Sequence, residues 1–331
     1  MIKRDIICIG ASAGGLEAVR DIISKWESPI PAAVFVVIHS PSDAFSALPH
    51  ILARADTLPA VHPSSGDEIE HGCIYAAPPD HHLIIQDSRV ILSSGPKENL
   101  VRPAIDPLFR SAAEAYGPRV VGVVLSGTLD DGTAGLMTIK RHGGVTIAQE
   151  PAEAAFPGMP ESAIENSAAD IILPVAGIAD ELWALANTPV DESGIVAMME
   201  SSERDIIDKE INAQIEGKRE GVPSTLACPD CGGVLWELRD GDMIRYRCHT
   251  GHLLSMDSLA QGISEKTEDA LWNAVRVLQE KAMLHRRMAN MPSRKRHPDL
   301  IAESERQADE ADKEANILLE MLKKIPETKD R

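Results

Sequence analysis

The chain has 331 residues, 44% of them hydrophobic and 25% charged, which excludes a disordered tail and fits two or three domains. No run reaches the roughly 18 apolar residues of a membrane helix, and Met1-Ile2-Lys3-Arg4-Asp5 leads into a strand-like run rather than a secretory leader, so no membrane insertion is expected. Lys+Arg 33 against Asp+Glu 51 gives −18, which argues against DNA and anionic membrane as partners; five unevenly spaced cysteines point to a reducing cytoplasm.

Residues 1–187 predict one α/β domain. Val/Ile-rich runs at 5–10, 33–38, 120–126, 145–148 and 171–174 alternate with helical patterns. Leu16, Val19, Ile22, Ile23 and Trp26 mark one face of the first helix. Strand–helix–strand order predicts a doubly wound, mostly parallel sheet covered on both sides. Within residues 62–95, Ile74–Ala76, His82–Ile85 and Arg89–Leu92 read as short strands of an inserted antiparallel hairpin near one edge. Residues 188–223 read as an acidic helical linker, with Ile195, Ile206, Ile211 and Ile215 in a broken amphipathic pattern. Residues 224–258 hold a cysteine cluster. Residues 259–331 carry two apolar stripes, one through Leu271, Val275, Leu278 and Ala282, the other through Ala308, Ala311, Ala315 and Leu319, which predict a helical hairpin tail.

Gly10-Ala11-Ser12-Ala13-Gly14-Gly15 follows a strand and opens a helix. Small residues let the chain reverse sharply and leave the Ser12 hydroxyl exposed, beside free N–H groups at a helix start. A dinucleotide-binding loop is the competing reading; it asks for glycine where Ser12 stands and an acid after the next strand, where the sequence has His39. The ends of neighbouring parallel strands share one rim, so Ser12 and His39 can meet there. A third strand runs into Ser126-Gly127-Thr128-Leu129-Asp130-Asp131-Gly132 and brings a carboxylate to the same rim. A serine needs a base, and the base an orienting acid. Singly, a rim histidine and an aspartate N-cap are ordinary features; together the three groups point to a hydrolytic site. The order Ser, His, Asp differs from that of α/β-hydrolases.

Cys228-Pro229-Asp230-Cys231 and Cys248-His249-Thr250-Gly251-His252 are separated by sixteen residues between Cys231 and Cys248. Two tight knuckles around a hairpin-sized gap predict a zinc-ribbon-like module. The expected ligands are Cys228, Cys231, Cys248 and His252, with His249 as the alternative fourth. Full protein ligation makes such a zinc structural. The basic run from Lys281 to His297 reads as a solvated helix end rather than a nucleic-acid contact, because it lacks aromatics in an acidic chain.

The first domain resembles the catalytic domain of the chemotaxis protein-glutamate methylesterases of the CheB type. The resemblance spans about residues 5–187. It rests on the Gly10–Gly15 turn, the strand ending in His39, Tyr75–Leu83, Arg102–Phe109, Leu125–Gly132, Ala148-Gln149-Glu150 and Gly158-Met159-Pro160. It implies Ser12 as nucleophile, His39 as general base and Asp131, directly before Gly132, as the acid. The backbone at Ala13 and the Thr128 loop would then hold the oxyanion. The implied substrate is a glutamate methyl ester on chemoreceptor cytoplasmic helices, hydrolysed without a cofactor, with a methyltransferase or another signalling protein as a further partner. Receptor glutamine deamidation and a non-catalytic scaffold are the alternatives. Ala13, Ser40 and Thr128 stand where the family usually has threonine, methionine and methionine, which bears on substrate fit. Many members carry a receiver domain before the esterase; with the first catalytic strand at about Asp5, none is expected on this chain.

Overall fold

Strands buried on both faces need unbroken apolar runs, and the central strands of this protein have them. The computed structural model describes residues 2–26, 29–41, 46–54, 57–190, 221–240, 243–292 and 296–324. The amphipathic pattern of Ile195–Ile215 lies outside these residues. The chain forms two compact units, Met1–Leu259 and Ala260–Arg331.

In the first unit, β1 (Ile6–Ala11), β2 (Ala33–Ile38), β3 (Ala60–Val61), β4 (Ile74–Ala76), β7 (Val120–Val124), β8 (Val145–Gln149) and β9 (Ile171–Leu173) form one parallel sheet in the order β3-β4-β2-β1-β7-β8-β9. Alternation along β1 divides the core. Ile7, Ile9 and Ala11 pack with Val19, Ile22 and Ile23 of α1 (Gly15–Ser24) and with Ile178 and Leu182 of α6 (Val175–Asn187). Ile6 and Cys8 face the opposite layer, with Ile105, Leu108 and Phe109 of α3 (Ile105–Tyr116) and Leu136 and Ile139 of α4 (Thr133–Arg141). The short helices α2 (Leu48–Ala53) and α5 (Gly158–Glu165) complete the two layers. The doubly wound reading therefore holds.

The hairpin is smaller than the sequence suggested. Only β5 (His82–Gln86) and β6 (Arg89–Ser93) pair antiparallel, and Leu83, Ile85 and Val90 seat them on the α3 side of the core. Ile74–Ala76 instead joins the main sheet, parallel to β2. A three-residue apolar run carries no period that separates these two fates.

The first unit also contains a four-stranded antiparallel sheet, β10 (Val222–Ala227), β11 (Val234–Asp240), β12 (Met243–Cys248) and β13 (Leu253–Ser255), in that order. Its core is small: Cys228, Leu235, Tyr246, Cys248, Leu254 and Leu259, joined by Ile244 and by Leu100 from the first-domain loop. In the second unit, α7 (Met256–Ala289, which begins before the unit boundary) and α8 (Pro298–Leu322) share an alanine-rich seam. Ala282, Ala308 and Ala311 are buried there with Leu278 beside them, and Arg286 pairs with Asp312. Among the described residues no helix is long and apolar enough to cross a membrane.

Candidate active site

The register of three strands delivers the site. Ala11 lies opposite Ile38, and Gly10 opposite Val124, so the carboxyl ends of β1, β2 and β7 finish side by side. The ladder continues past the strands: His39 N–H donates to the Ala11 carbonyl at 3.2 Å and Ser12 N–H to the Ser126 carbonyl at 2.9 Å. Glycine is required where these loops close on one another. A Cβ on Gly10 would fall on Ile105, and one on Gly127 would lie 2.8 Å from Ser12 Cβ. Gly14, at φ +69°, turns the chain into α1.

The three side chains form a relay. Ser12 Oγ lies 3.0 Å from His39 Nδ1, and His39 Nε2 lies 2.8 Å from Asp131 Oδ2. The imidazole is 15% exposed and the Asp131 side chain 3%, so one end of the relay meets solvent and the other is buried. Every group hydrogen-bonded to Asp131 is a donor. Ile105 N–H reaches Oδ2 at 2.7 Å; the Asn99 amide and Asp106 N–H reach Oδ1 at 2.9 and 3.4 Å. Burial pushes the Asp131 carboxyl up, but the His39 ring, Ile105 N–H and the Asn99 amide pull it below the usual range. An ionised Asp131 accepts from Nε2–H and leaves Nδ1 as the acceptor that faces the serine. The ring thus uses the nitrogens in the opposite sense to the serine-protease relay, with the same chemical outcome.

A family model described as CheB methylesterase matches residues 7–182. The chain belongs to the CheB methylesterase family. It is 37% identical over 187 residues to the protein-glutamate methylesterase/protein-glutamine glutaminase 2 of Methanosarcina mazei, covering 54% of this chain and 51% of that protein. The chain thus spans about half the length of that relative. A relative from Leptospira interrogans is 34% identical over 177 residues, which are 53% of this chain and 92% of the relative. The crystal structure of the Thermotoga maritima CheB methylesterase catalytic domain is 35% identical with a TM-score of 0.53, covering 56% of this chain and 99% of that one.

Around the relay, this CheB-family site contains residues whose roles the sequence reading did not assign. The Ser126 hydroxyl donates to the Ala13 carbonyl at 2.7 Å and accepts from Phe156 N–H at 3.0 Å, which ties the serine turn to the loop before α5. Gln149 accepts from Ser126 N–H at 2.8 Å. Asp106 is buried beside Asp131; burial and then the Asp131 charge raise it to about 6, against Arg245 and Arg110. Asp130 turns away from the relay and accepts from the hydroxyls of Ser255 at 2.7 Å and Ser258 at 3.3 Å. Ala13 and Thr128 flank the serine turn and the β7 loop, both partly exposed.

Beyond the residues matched to the CheB family, Cys228, Cys231, Cys248 and His252 converge, with one ligand atom from each and all four within 4.8 Å of one another. His252 Nδ1 is 3.6 Å from Cys228 Sγ and 3.5 Å from Cys248 Sγ; Cys231 and Cys248 Sγ are 3.6 Å apart. A tetrahedron built on Zn–S near 2.3 Å and Zn–N near 2.0 Å has edges of about 3.5–3.8 Å. The cluster fits a tetrahedral ion of that size. The Thr250 hydroxyl, helped by Gly233 N–H, brings the Cys231 thiol down to about 6, toward the thiolate a metal needs. His249 is exposed and outside this group.

Proposed function

We propose that this protein hydrolyses glutamate γ-methyl esters on the cytoplasmic helices of chemoreceptors, releasing methanol. The observation that carries the reading is the Ser12–His39–Asp131 relay, with contacts of 3.0 and 2.8 Å, in a chain whose relatives bear the name protein-glutamate methylesterase.

In this reading, Ser12 Oγ attacks the ester carbonyl as its proton passes to His39 Nδ1. Asp131 steadies the imidazolium. The backbone N–H groups of Ala13 and Thr128 receive the developing oxyanion. The tetrahedral intermediate expels methoxide, which takes the proton from His39 and leaves as methanol. Water then gives a proton to His39 and attacks the acyl-serine, returning Ser12 and a free glutamate carboxylate. The same cycle on a glutamine side chain would release ammonia, the second reaction in the relatives' names. No cofactor enters either reaction.

The Cys228, Cys231, Cys248 and His252 set holds a structural zinc in this reading, because four protein ligands leave no position for substrate. Residues 1–187 carry the chemistry, 224–258 the metal module and 259–331 a helical tail. A receptor helix is substrate, and the site of action is the cytoplasm. Methanol and ammonia released from a purified methylated receptor fragment separate the two reactions. Ser12→Ala should abolish both. Release persisting in that variant would remove Ser12 as nucleophile, and none from the unaltered protein would favour a scaffold role.

A further inference from the structure

The Cys/His sheet bonds directly to the residues that hold the catalytic acid. Leu253 directly follows the ligand His252 and pairs in parallel with Glu98. Asn99 N–H donates to the Leu253 carbonyl at 2.8 Å, and Leu253 N–H donates to the Lys97 carbonyl at 3.3 Å. Leu100, partly buried, packs against the core of the Cys/His sheet.

Asn99 lies between the two parts, 4% exposed. Its amide hydrogens go to Asp131 Oδ1 at 2.9 Å and Asp106 Oδ2 at 3.1 Å, and its oxygen accepts Ser255 N–H at 3.1 Å. All three polar positions of the amide are used, and the partners fix its orientation. A half-turn would point the oxygen at two carboxylates and the NH2 at an N–H. Ser255 N–H thus favours the orientation in which Asn99 donates to the acid. Arg245, from β12, also enters the first-domain cluster. Its side chain is 7% exposed and lies 3.4 Å from both Asp106 and Glu98.

We propose that Ser255 and Arg245 are positioning residues for the Ser12–His39–Asp131 relay, acting through Asn99 and Asp106, so that metal binding at Cys228, Cys231, Cys248 and His252 switches hydrolysis on. This rests on the esterase reading above. Six buried residues, two of them cysteines, make too small a core to hold a sheet without a staple. The metal closes the Cys248–His252 turn, where Cys248 N–H donates to the His252 carbonyl at 3.0 Å, and β13 begins at the next residue. Loss of the metal frees β13. Asn99 then loses the donor that orients it, and Asp106 loses one of its two guanidinium partners, Arg110 remaining, which changes the charge held beside Asp131.

The test compares full-length protein loaded with Zn2+ against the same protein stripped by a chelator and then reloaded. Methanol release from a methylated receptor fragment is measured across pH. Labelling of Ser12 by a fluorophosphonate reads the relay without that substrate, with Ser12→Ala as blank. Stripping should lower kcat and the labelling rate by about tenfold or more with little change in KM. Zn2+ should restore both. Zinc-loaded Asn99→Leu should show the same loss and lose nothing further on stripping. Arg245→Met should fall between the two, so the coupling can be read from zinc-loaded proteins even where stripping unfolds the chain. Equal labelling with and without zinc, an Asn99→Leu protein that keeps its zinc response, or failure to bind stoichiometric zinc would overturn the proposal. Zinc-dependent labelling without methanol release would retain the coupling and discard only the ester substrate. Absence of Ser12 labelling in both states would discard both.

Discussion

Asp131→Asn is the sharpest substitution, because it preserves volume and removes one acceptor from a carboxylate whose hydrogen-bond partners are all donors. An amide has a single acceptor oxygen and an NH2 that needs acceptors of its own. If the NH2 takes the Oδ2 position, Ile105 N–H, now 2.7 Å from its acceptor, loses it. His39 must then present an acceptor at Nε2, so its proton moves to Nδ1, 3.0 Å from Ser12 Oγ. In that tautomer the ring donates to the serine and cannot take its proton. If the NH2 takes the Oδ1 position, it faces the Asn99 amide hydrogen, and Asn99 can turn only by giving up Ser255 N–H. Either way at least one buried donor is orphaned, a cost of about 1–3 kcal/mol in stability. The tautomer error of the first orientation costs about 10⁴ in kcat where a serine–histidine relay has been broken in this way, or about 5.5 kcal/mol of barrier. The assay is the pH profile of methanol release, with 15N-resolved imidazole signals to show which ring nitrogen carries the proton. A variant retaining more than about a tenth of the rate, with the proton still on Nε2 and no loss of stability, would refute the donor-lined reading of the acid.

Other consequences follow from single contacts. Gly127→Ala should inactivate the protein while leaving a folded sheet, since the new methyl would land on Met159 Sδ and 2.8 Å from Ser12 Cβ; near-normal Ser12 labelling in a folded variant would show that the loop gives way. Asp130→Asn should stabilise the fold above neutral pH, because burial raises this carboxyl from 3.8 to about 6 and the folded state then carries a penalty of up to about 3 kcal/mol when it ionises. The folded state binds the proton more tightly, so wild-type stability rises as pH falls from about 6 toward 3.8, and the advantage of the variant should vanish across that window in thermal melts. Cys228→Ser should lower zinc affinity and Tm together, and a variant that keeps wild-type zinc binding would remove Cys228 from the ligand set.

The parallel sheet was legible because its strands are buried on both faces and read as continuous apolar runs, and the rim followed from strand order. The serine turn and the spaced cysteines were legible because each is a local pattern with a chemical reason for its spacing. Local patterning does not separate the adjacent acids Asp130 and Asp131; the CheB resemblance points to Asp131, directly before Gly132, and the packing of α3, whose Ile105 N–H reaches Asp131, gives the physical reason. Asn99 was missed because an isolated asparagine in a loop has no period. Its contact with Ser255 joins residues 156 positions apart. Arg245 carries no local signal in the sequence; its burial depends on docking against a first-domain loop 147 residues earlier.

The charges around the acid bear on the reaction itself. Glu98, Asp106, Asp130 and Asp131 lie in one connected network, and its guanidinium partners are Arg110, 2.7 Å from Glu98, and Arg245, 3.4 Å from Glu98 and Asp106. Four carboxylates therefore face two permanent cations in a region where burial weakens screening. Such a cluster is electrostatically unbalanced at rest. In the proposed reaction it approaches balance when His39 takes the serine proton and becomes a third cation, 2.8 Å from Asp131. Catalysis requires interactions that strengthen as the transition state forms, and an imidazolium arriving beside an anionic cluster is one of these. Arg245 moderates that field from the Cys/His sheet. Without it, Asp106 would take up a proton more readily and the resting charge around Asp131 would change, so the arginine sets how strongly the buried network draws the serine proton onto the histidine.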